Sequence, residues 1–280
     1  MRGVCPACFR LSISHQKIRW VKTEVILTQH GKHALVTGGG TGIGAAIATA
    51  LAHEGATVTV TGRRSAPLRE MAATHGNLHP LVMDVTDETS VRDGIAQAAK
   101  ARGPVQICAA NAGIATAGSF AKTSMADWRA MMATNLDGVF LTIQAALATL
   151  PEGMAGRMIG MSSIAGVRGL KNGVTYTASK HGVIGLMRGL SEEYMGGPVT
   201  FNALCPGYVD TDIVRDQIAG LQEKREMTKD AATALFASGN RHNRLLTVGE
   251  IAAAALWLCS DGARSVNGQT LEISGGQTCP

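Results

Sequence analysis

The glycine-rich stretch TGGGTGIG, residues 37–44, is the most informative segment of the sequence. It follows an apolar run at 33–37, which predicts a β-strand, and it opens an amphipathic stretch at 43–54, which predicts a helix. Glycines permit a tight turn and close backbone approach to a pyrophosphate, and a helix N-terminus offers that group free N–H donors. A glycine-rich turn alone is weak evidence, but its position between strand and helix predicts a dinucleotide-binding unit.

The alternation of apolar runs and amphipathic stretches continues along the chain. Parallel strands buried on both faces are expected as continuous apolar runs, and these runs are continuous. The predicted strands are 33–37, 57–61, 79–83, 105–109, 157–161, 199–204 and 269–273, and the predicted helices are 43–54, 66–75, 87–101, 124–149, 174–195 and 248–260. This order predicts a single-domain α/β fold of the doubly wound Rossmann type, with a seven-stranded parallel sheet and helices on both faces.

Two segments fall outside the alternation. Residues 208–246 are polar and charged, and a long connection of this kind is typical of a lid or binding loop. Residues 1–30 form a basic leader, which we expect to be disordered. The alternative is a transit peptide, since no acid precedes Glu24. We expect the folded domain to cover 31–280.

The net charge of +5 does not predict a nucleic-acid partner. Residues 1–33 carry six basic residues and one acid, which accounts for the whole excess, and the remaining chain has 20 of each sign. The globular part therefore lacks the field that attracts a polyanion.

The cysteine and hydropathy patterns set further bounds. Cys5 and Cys8 resemble half of a zinc knuckle, but no second pair follows, so we expect no metal site. Cys108 and Cys205 lie in apolar segments and are predicted to be in the core. A reducing cytoplasm suits all six cysteines. No run of 18 apolar residues occurs, and we expect no membrane span.

The end of the second predicted strand indicates which cofactor is used. An enzyme for non-phosphorylated NAD usually has an acid about 20 residues after the glycine turn, where it binds the ribose hydroxyls. This chain has Gly62 there, followed by Arg63 and Arg64. Guanidinium groups suit a 2′-phosphate, so we expect NADP(H) to be preferred and NAD(H) to be possible. The alternative is that both arginines are solvated.

Several loops after predicted strands can line the same groove. Asp84 can bond an adenine amino group or, alternatively, cap the next helix. The small residues of the segment 110–113, ANAG, let the backbone lie against a cofactor, and the turn Pro206-Gly207 begins the lid. Asn135 and Gly138 are poor helix-interior residues, so we expect a local break in the helix 124–149 that serves a site.

Tyr176 and Lys180 stand four residues apart on a predicted helix and therefore share one face. A neighbouring ammonium stabilises a phenolate and so makes a tyrosine a better acid–base catalyst near neutral pH. Ser163 lies 13 residues before Tyr176, after a strand, where its hydroxyl can hold a substrate oxygen.

Taken together, these motifs resemble the short-chain dehydrogenase/reductase family over about residues 32–276. The family's glycine motif corresponds to Thr37, Gly38, Gly42 and Gly44, and its catalytic tetrad to Asn135, Ser163, Tyr176 and Lys180. One departure is Ala110, where the family often has a second asparagine before Asn111. The cofactor-binding residues predicted from the motifs are Gly38, Thr41, Gly42, Ile43, Gly44, Arg63, Arg64, Asp84, Val85, Asn111, Ala112, Gly113, Tyr176, Lys180, Pro206, Gly207, Val209 and Thr211.

The resemblance implies an oxidoreductase that interconverts a ketone and a secondary alcohol. Ser163 would hold the carbonyl oxygen, Tyr176 would donate a proton as the nicotinamide gives its hydride, Lys180 would lower the pKa of Tyr176 and bind the nicotinamide ribose, and Asn135 would position a water. The chain looks most similar to 3-oxoacyl reductases. The alternatives are a dehydrogenase that oxidises an alcohol, sugar or steroid, and a non-catalytic dinucleotide sensor.

The resemblance also bears on partners. Relatives that use acyl carrier protein often have basic residues before the Gly-Arg that opens strand five, whereas 151–155 reads PEGMA. A coenzyme A thioester is the expected alternative, with Arg241 and Arg244 either meeting its phosphates or solvated. Ala178, Gly182, Gly185 and Gly189 permit close packing of their helix, and relatives often assemble through it, so we expect a homodimer or homotetramer.

Overall fold

The seven strands form one parallel sheet in the order β3-β2-β1-β4-β5-β6-β7. The structure is a computed structural model that describes residues 29–278. The strands are β1 (His33–Thr37), β2 (Thr57–Gly62), β3 (Leu78–Val82), β4 (Val105–Ala110), β5 (Gly156–Met161), β6 (Val199–Pro206) and β7 (Thr270–Ile273). The doubly wound parallel sheet predicted from sequence is confirmed, and no strand end differs from its prediction by more than two residues.

Helices cover both faces of the sheet. They are α1 (Gly42–His53), α2 (Ser65–Ala72), α3 (Glu88–Arg102), α4 (Met125–Met132), α5 (Gly138–Leu147), α6 (Val174–Glu193), α7 (Asp212–Arg225), α8 (Lys229–Ala237) and α9 (Val248–Leu258). α1 and α9 pack on one face, and α3, α5 and α6 on the other. Because both faces are covered, every residue of β6 is buried, which explains its unbroken apolar run.

The helix predicted at 124–149 is interrupted at the expected place. A π-helical turn, Ala133–Asp137, separates α4 from α5 and contains Asn135. Gly138 follows it, and a Cβ there would lie 2.9 Å from a Val85 side-chain carbon. Such insertions into α-helices are frequent at functional sites.

The stretch Met125–Leu147 is long and apolar enough, by length and composition, to cross a membrane. In the structure it forms α4, the π turn and α5, and connects β4 to β5. Val139, Ile143 and Ala146 are buried in the core cluster on this face of the sheet. Packing within the domain therefore accounts for its apolar composition.

The predicted lid at 208–246 contains α7 and α8, which the sequence pattern did not reveal. Their apolar residues form a small separate cluster around Val214, Ile218 and Ala232. The ends of the segment meet at a parallel bridge between Val209 and Leu246. The lid is thus a pair of helices. The two ends of the segment, which this bridge holds together, form the base of the lid.

The described residues include the start of the folded domain and three of the cysteines. Most of the predicted leader, residues 1–28, lies outside the described residues, as do Cys5, Cys8 and Cys279. Gln29 is buried and its N–H donates to the Glu54 carbonyl at 2.8 Å, so packing begins before the predicted boundary at 31. Cys108 and Cys205 are buried as predicted.

Candidate active site

A groove runs along the carboxyl ends of the strands, where the strand order reverses between β1 and β4. It consists of two adjoining clefts that share residues of the glycine turn and of the loop after β4. The first cleft contains the predicted residues Gly38, Thr41, Gly42, Ile43, Asn111, Ala112, Gly113, Ser163, Tyr176, Lys180, Pro206, Gly207, Val209 and Thr211. The second adds Arg63, Arg64, Asp84 and Val85. Of the predicted site residues, Gly44 and Asn135 alone do not line the groove.

The N-terminus of α1 opens into this groove. Thr41 is its N-cap, and no side-chain cap bond satisfies the first-turn amides. Those amides and the positive end of the helix dipole suit a pyrophosphate. Gly44 has a packing role instead, because a Cβ there would lie 2.3 Å from the Gly38 carbonyl oxygen.

Thr37, the last residue of β1, joins the end of this strand to the loop that follows β4. Its hydroxyl accepts bonds from the Asn111 and Ala112 amides, both at 3.0 Å. The Asn111 side chain returns a bond to the Thr37 carbonyl at 2.9 Å. Ala110, where the family often has asparagine, pairs normally with Gly160 of β5. The loop is therefore fixed by Thr37 and Asn111.

The second cleft holds the predicted determinants of cofactor choice. Arg63 and Arg64 line it, and Thr61 beside them is buried with a hydroxyl that has no partner among the described residues. The Asp84 carboxylate accepts bonds from the Thr86 amide at 3.0 Å and hydroxyl at 2.8 Å. These bonds, with a smaller contribution from Arg63, lower the pKa of Asp84. The alternative role of Asp84 as a helix cap is wrong, because Asp87 caps α3 through the Ser90 amide.

These features fit a nicotinamide dinucleotide. The unsatisfied amides of α1 match its pyrophosphate, the orphaned hydroxyl of Thr61 lies at the adenosine end, and the catalytic side chains lie at the other end of the groove. When bound, the reduced dinucleotide supplies a hydride.

Ser163, Tyr176 and Lys180 meet in the first cleft. Ser163 follows β5, while Tyr176 and Lys180 occupy successive turns of α6. The Lys180 ammonium donates to the Met161 carbonyl at 2.7 Å and lies 5.7 Å from the centre of the Tyr176 ring. Burial lowers the pKa of Lys180 to about 8.

Burial raises the pKa of Tyr176, and a hydrogen bond with Ser163 acts in the opposite direction. The phenol is therefore protonated near neutral pH, the form that can donate a proton to a substrate oxygen. The lowering of this pKa by Lys180, implied by the family resemblance, stays a prediction for the cofactor-bound enzyme.

Asn135 is 0% exposed and supports the groove from behind. Its side-chain oxygen accepts from the Ile114 amide at 2.8 Å, and its nitrogen donates to the Ile114 carbonyl at 2.9 Å. The same nitrogen donates to the Ser179 hydroxyl at 3.2 Å. The side chain thus fixes a wall of the first cleft, and its predicted part in holding a water stays a prediction.

Two serines that sequence reasoning did not select hold the catalytic helix in place. The Ser162 hydroxyl donates to the Lys180 carbonyl at 2.8 Å and so joins α6 to the end of β5. The Ser179 hydroxyl donates to the Tyr176 carbonyl at 2.8 Å while it accepts from Asn135. Their adjacency to Ser163 and Lys180 is the only signal in the sequence.

Arg244 is half-exposed and paired with an acid, and its contact with a phosphate stays a prediction. Its guanidinium forms a two-pronged ion pair with Glu250, at 2.7 and 2.8 Å, at the start of α9. It fastens the base of the lid to the domain.

The buried Lys180 predicts a pH-dependent stability difference. Its pKa is about 8 in the folded protein, against an ordinary value of 10.5 for a solvated lysine. Between these two pKa values the unfolded chain therefore binds more protons than the folded chain. The free-energy cost of burying the Lys180 ammonium is largest below about pH 8 and decreases as the pH rises. Lys180→Met removes the group. The stability deficit of wild type relative to Lys180→Met should shrink by about 2 kcal/mol between about pH 7 and pH 9.5. Urea unfolding of both cofactor-free proteins at the two pH values measures it.

Loss of the bond to the Met161 carbonyl is independent of pH and cancels in this double difference. A deficit that stays constant or grows with pH would show that Lys180 is not a buried ammonium with a lowered pKa.

The chain is similar in sequence to proteins of one enzyme family. The model of the short chain dehydrogenase family matches residues 32–222. An acetoacetyl-CoA reductase of Rhizobium meliloti is 32% identical over 244 residues, which cover 87% of this chain and 97% of that protein. A D-threitol dehydrogenase of Mycolicibacterium smegmatis is 35% identical over 252 residues, which cover 89% and 93%.

The fold of this chain is also similar to that of a solved structure. The actinorhodin polyketide ketoreductase, crystallised as a variant with NADPH, superposes with a TM-score of 0.84 at 29% identity and covers 89% of this chain and 98% of that one. The chain belongs to the short-chain dehydrogenase/reductase family and is an oxidoreductase that interconverts ketones and secondary alcohols.

Proposed function

We propose that this enzyme is an NADPH-preferring reductase of 3-oxoacyl thioesters. The observation that carries the proposal is the placement of Tyr176, which is half-buried, with Ser163 and Lys180 at one end of the groove, while the other end has two arginines and a glycine where an NAD enzyme has its acid. A protonated phenol suits reduction, since reduction requires a proton donor at the carbonyl oxygen.

The chain's own residues divide the work at that oxygen. The Ser163 hydroxyl donates a hydrogen bond to it and fixes its position. The Tyr176 hydroxyl gives the proton that completes the alcohol. Lys180, held by Met161, keeps a positive charge beside the phenol, which stabilises the phenolate that remains.

The surroundings of the catalytic end support an acyl substrate. Ile114, Ile213 and Val214 line the first cleft and supply an apolar wall. Segment 151–155 carries Glu152 and no basic residue, which disfavours docking of an acidic carrier protein. We therefore propose a coenzyme A thioester as the substrate class.

A direct comparison of substrates tests this function. Acetoacetyl-CoA should be reduced with NADPH at a higher kcat/KM than the same acyl group on a carrier protein.

Tyr176→Phe should lower turnover by about 10²–10⁴-fold, the usual contribution of a general acid, with cofactor binding retained. Near-normal turnover by Tyr176→Phe would remove the tyrosine from its role. Cofactor binding without turnover of any ketone or alcohol would favour the sensor alternative.

A polyol dehydrogenase is the second candidate. The similarity to a D-threitol dehydrogenase favours it, because the same catalytic groups serve the oxidative direction. Oxidation of a polyol panel with NAD⁺ or NADP⁺ at a higher kcat/KM than reduction of any acyl thioester would establish this candidate in place of the first.

The second cleft predicts a preference for NADPH over NADH. A hydrogen bond to a charged group contributes about 1.5–3 kcal/mol, or roughly 10–150-fold in affinity. We expect Arg63 to contribute this to a 2′-phosphate. Gly62→Asp with Arg63→Ala should reverse the preference. Room exists for the new side chain, because a Cβ at Gly62 meets only Leu68, at 3.8 Å.

Measurement of kcat/KM for both reduced cofactors decides this preference, with Gly62→Ala as the control that adds a Cβ and no charge. Equal values for wild type, or a preference for NADH, would contradict it.

We propose that the enzyme is a homodimer or homotetramer that packs through α5 and α6. Gly185 and Gly189 of α6 face open space, and Phe140 of α5 is exposed. Gly182, also expected at the interface, instead packs against Leu136 of its own chain.

We further propose a reducing compartment, the cytoplasm, since the three described cysteines are free.

Light scattering at micromolar concentration tests the assembly. Wild type should be a dimer or tetramer, and Gly185→Glu should dissociate it by placing a charge in the interface. Gly220→Glu, on the open face of α7, should leave the assembly intact. A monomeric wild type contradicts the proposal.

A further inference from the structure

Asn240 lies just after α8, at the base of the lid, and is 0% exposed. Its side-chain oxygen accepts a bond from the Tyr208 amide at 3.0 Å, and its nitrogen donates to the Tyr208 carbonyl at 2.9 Å. The nitrogen also donates to the Arg244 carbonyl at 2.8 Å. One amide side chain thus satisfies both backbone groups of Tyr208, much as a neighbouring strand would.

Tyr208 belongs to the turn that walls the catalytic end of the groove. β6 ends at Pro206. Beyond it the Gly207 amide donates to the Ile273 carbonyl of β7 at 2.9 Å, and the Leu246 amide donates to the Tyr208 carbonyl at 2.8 Å. Pro206, Gly207, Val209 and Thr211 on either side of Tyr208 line the first cleft. Tyr208 is at the centre of this wall, so the bonds that hold Tyr208 contribute to the position of the wall.

Contact between Asn240 and the turn is close. A Cβ at Gly207 would lie 2.3 Å from the Asn240 side-chain oxygen, so any larger residue at 207 would displace the amide. The Tyr208 ring packs edge-on against Phe236 of α8, with centroids 5.4 Å apart. Backbone and ring of Tyr208 are thus both held by the end of the lid.

We infer that Asn240 is a positioning residue for the reaction: by clamping Tyr208 it sets the Pro206–Thr211 wall against which the nicotinamide is seated. α7 and α8 leave the domain after this wall and return to it at Asn240. The clamp therefore joins the wall to the point where the lid segment returns to the domain.

Two variants at Asn240 and a matched control separate positioning from plain stability. Asn240→Ala removes all three bonds, and Asn240→Asp keeps the volume and the acceptor but loses both donated bonds. Asn202 is the control: it is buried in β6, donates to the Val266 carbonyl at 2.8 Å, accepts from the Gln269 amide at 3.0 Å, and lines neither cleft. Asn202→Ala should cost comparable stability without moving the wall.

Because this role rests on the proposed NADPH-dependent reduction, cofactor binding is measured as well as turnover. We expect both Asn240 variants to raise the Kd of NADPH about tenfold and to lower kcat/KM by up to about 10²-fold, the cost of a misplacement near 1 Å. The deuterium isotope effect with NADPH labelled at the transferred position should also change. Asn202→Ala should lower the Tm and leave the Kd, the KM and the isotope effect unchanged.

The Kd of NADPH distinguishes failure of this role from failure of the proposed function. Absence of ketone turnover in wild type overturns the function alone, and the shift in Kd still tests the clamp. If Asn240→Ala does not fold, Asn240→Asp carries the comparison. Folded Asn240 variants with wild-type Kd, KM and isotope effect would show that Asn240 is merely structural.

Discussion

The pairing of β1 with β4 is the contact on which the rest of the molecule depends. These strands are far apart in sequence, and their pairing is where the strand order reverses and the groove opens. Thr37 fixes the end of this junction by accepting two amides of the loop after β4. The glycine turn of α1 and the wall that Asn135 supports both take their positions from it. A change at this junction would therefore move both the cofactor end and the catalytic end of the site.

The catalytic centre is stabilised by bonds to backbone carbonyls and destabilised by the charge that it buries. Ser162 and Lys180 join α6 to the end of β5 through backbone carbonyls, and Ser179 joins it to the π turn by accepting a bond from Asn135. No buried ion pair among the described residues takes part. A salt bridge would have offset the burial of the ammonium, but it would also have restored the pKa of Lys180 toward its ordinary value. The absence of a carboxylate partner in the described part of the chain keeps that pKa near 8, where proton exchange is accessible.

Sequence patterns predicted those features that depend on local chemistry. The glycine turn, the parallel strands and the Tyr176–Lys180 spacing each follow from periodicity or from residues a few positions apart, and they lie where expected. The break at Asn135 was predicted from helix propensity, but its π-helical form depends on Ile114 and Ser179, which are distant in sequence. α7 and α8 escaped detection because their apolar residues are few and pack mainly on each other. Asn240 gave no signal, since its role exists only through contacts with Tyr208 and Arg244.

The lid helices and the base of the lid differ in how firmly they are held, and this difference affects how substrate specificity can change. The lid helices share only a few buried apolar residues, so their local stability is low relative to that of the sheet. The base, in contrast, is closed by Asn240, by the ion pair of Arg244 with Glu250, and by the Val209–Leu246 bridge. Substitutions within α7, at Ile213 or Val214, would alter the apolar wall that meets the substrate without moving the base. The apolar wall at Ile213 and Val214 can therefore vary while the bonds of Asn240 to the base are kept.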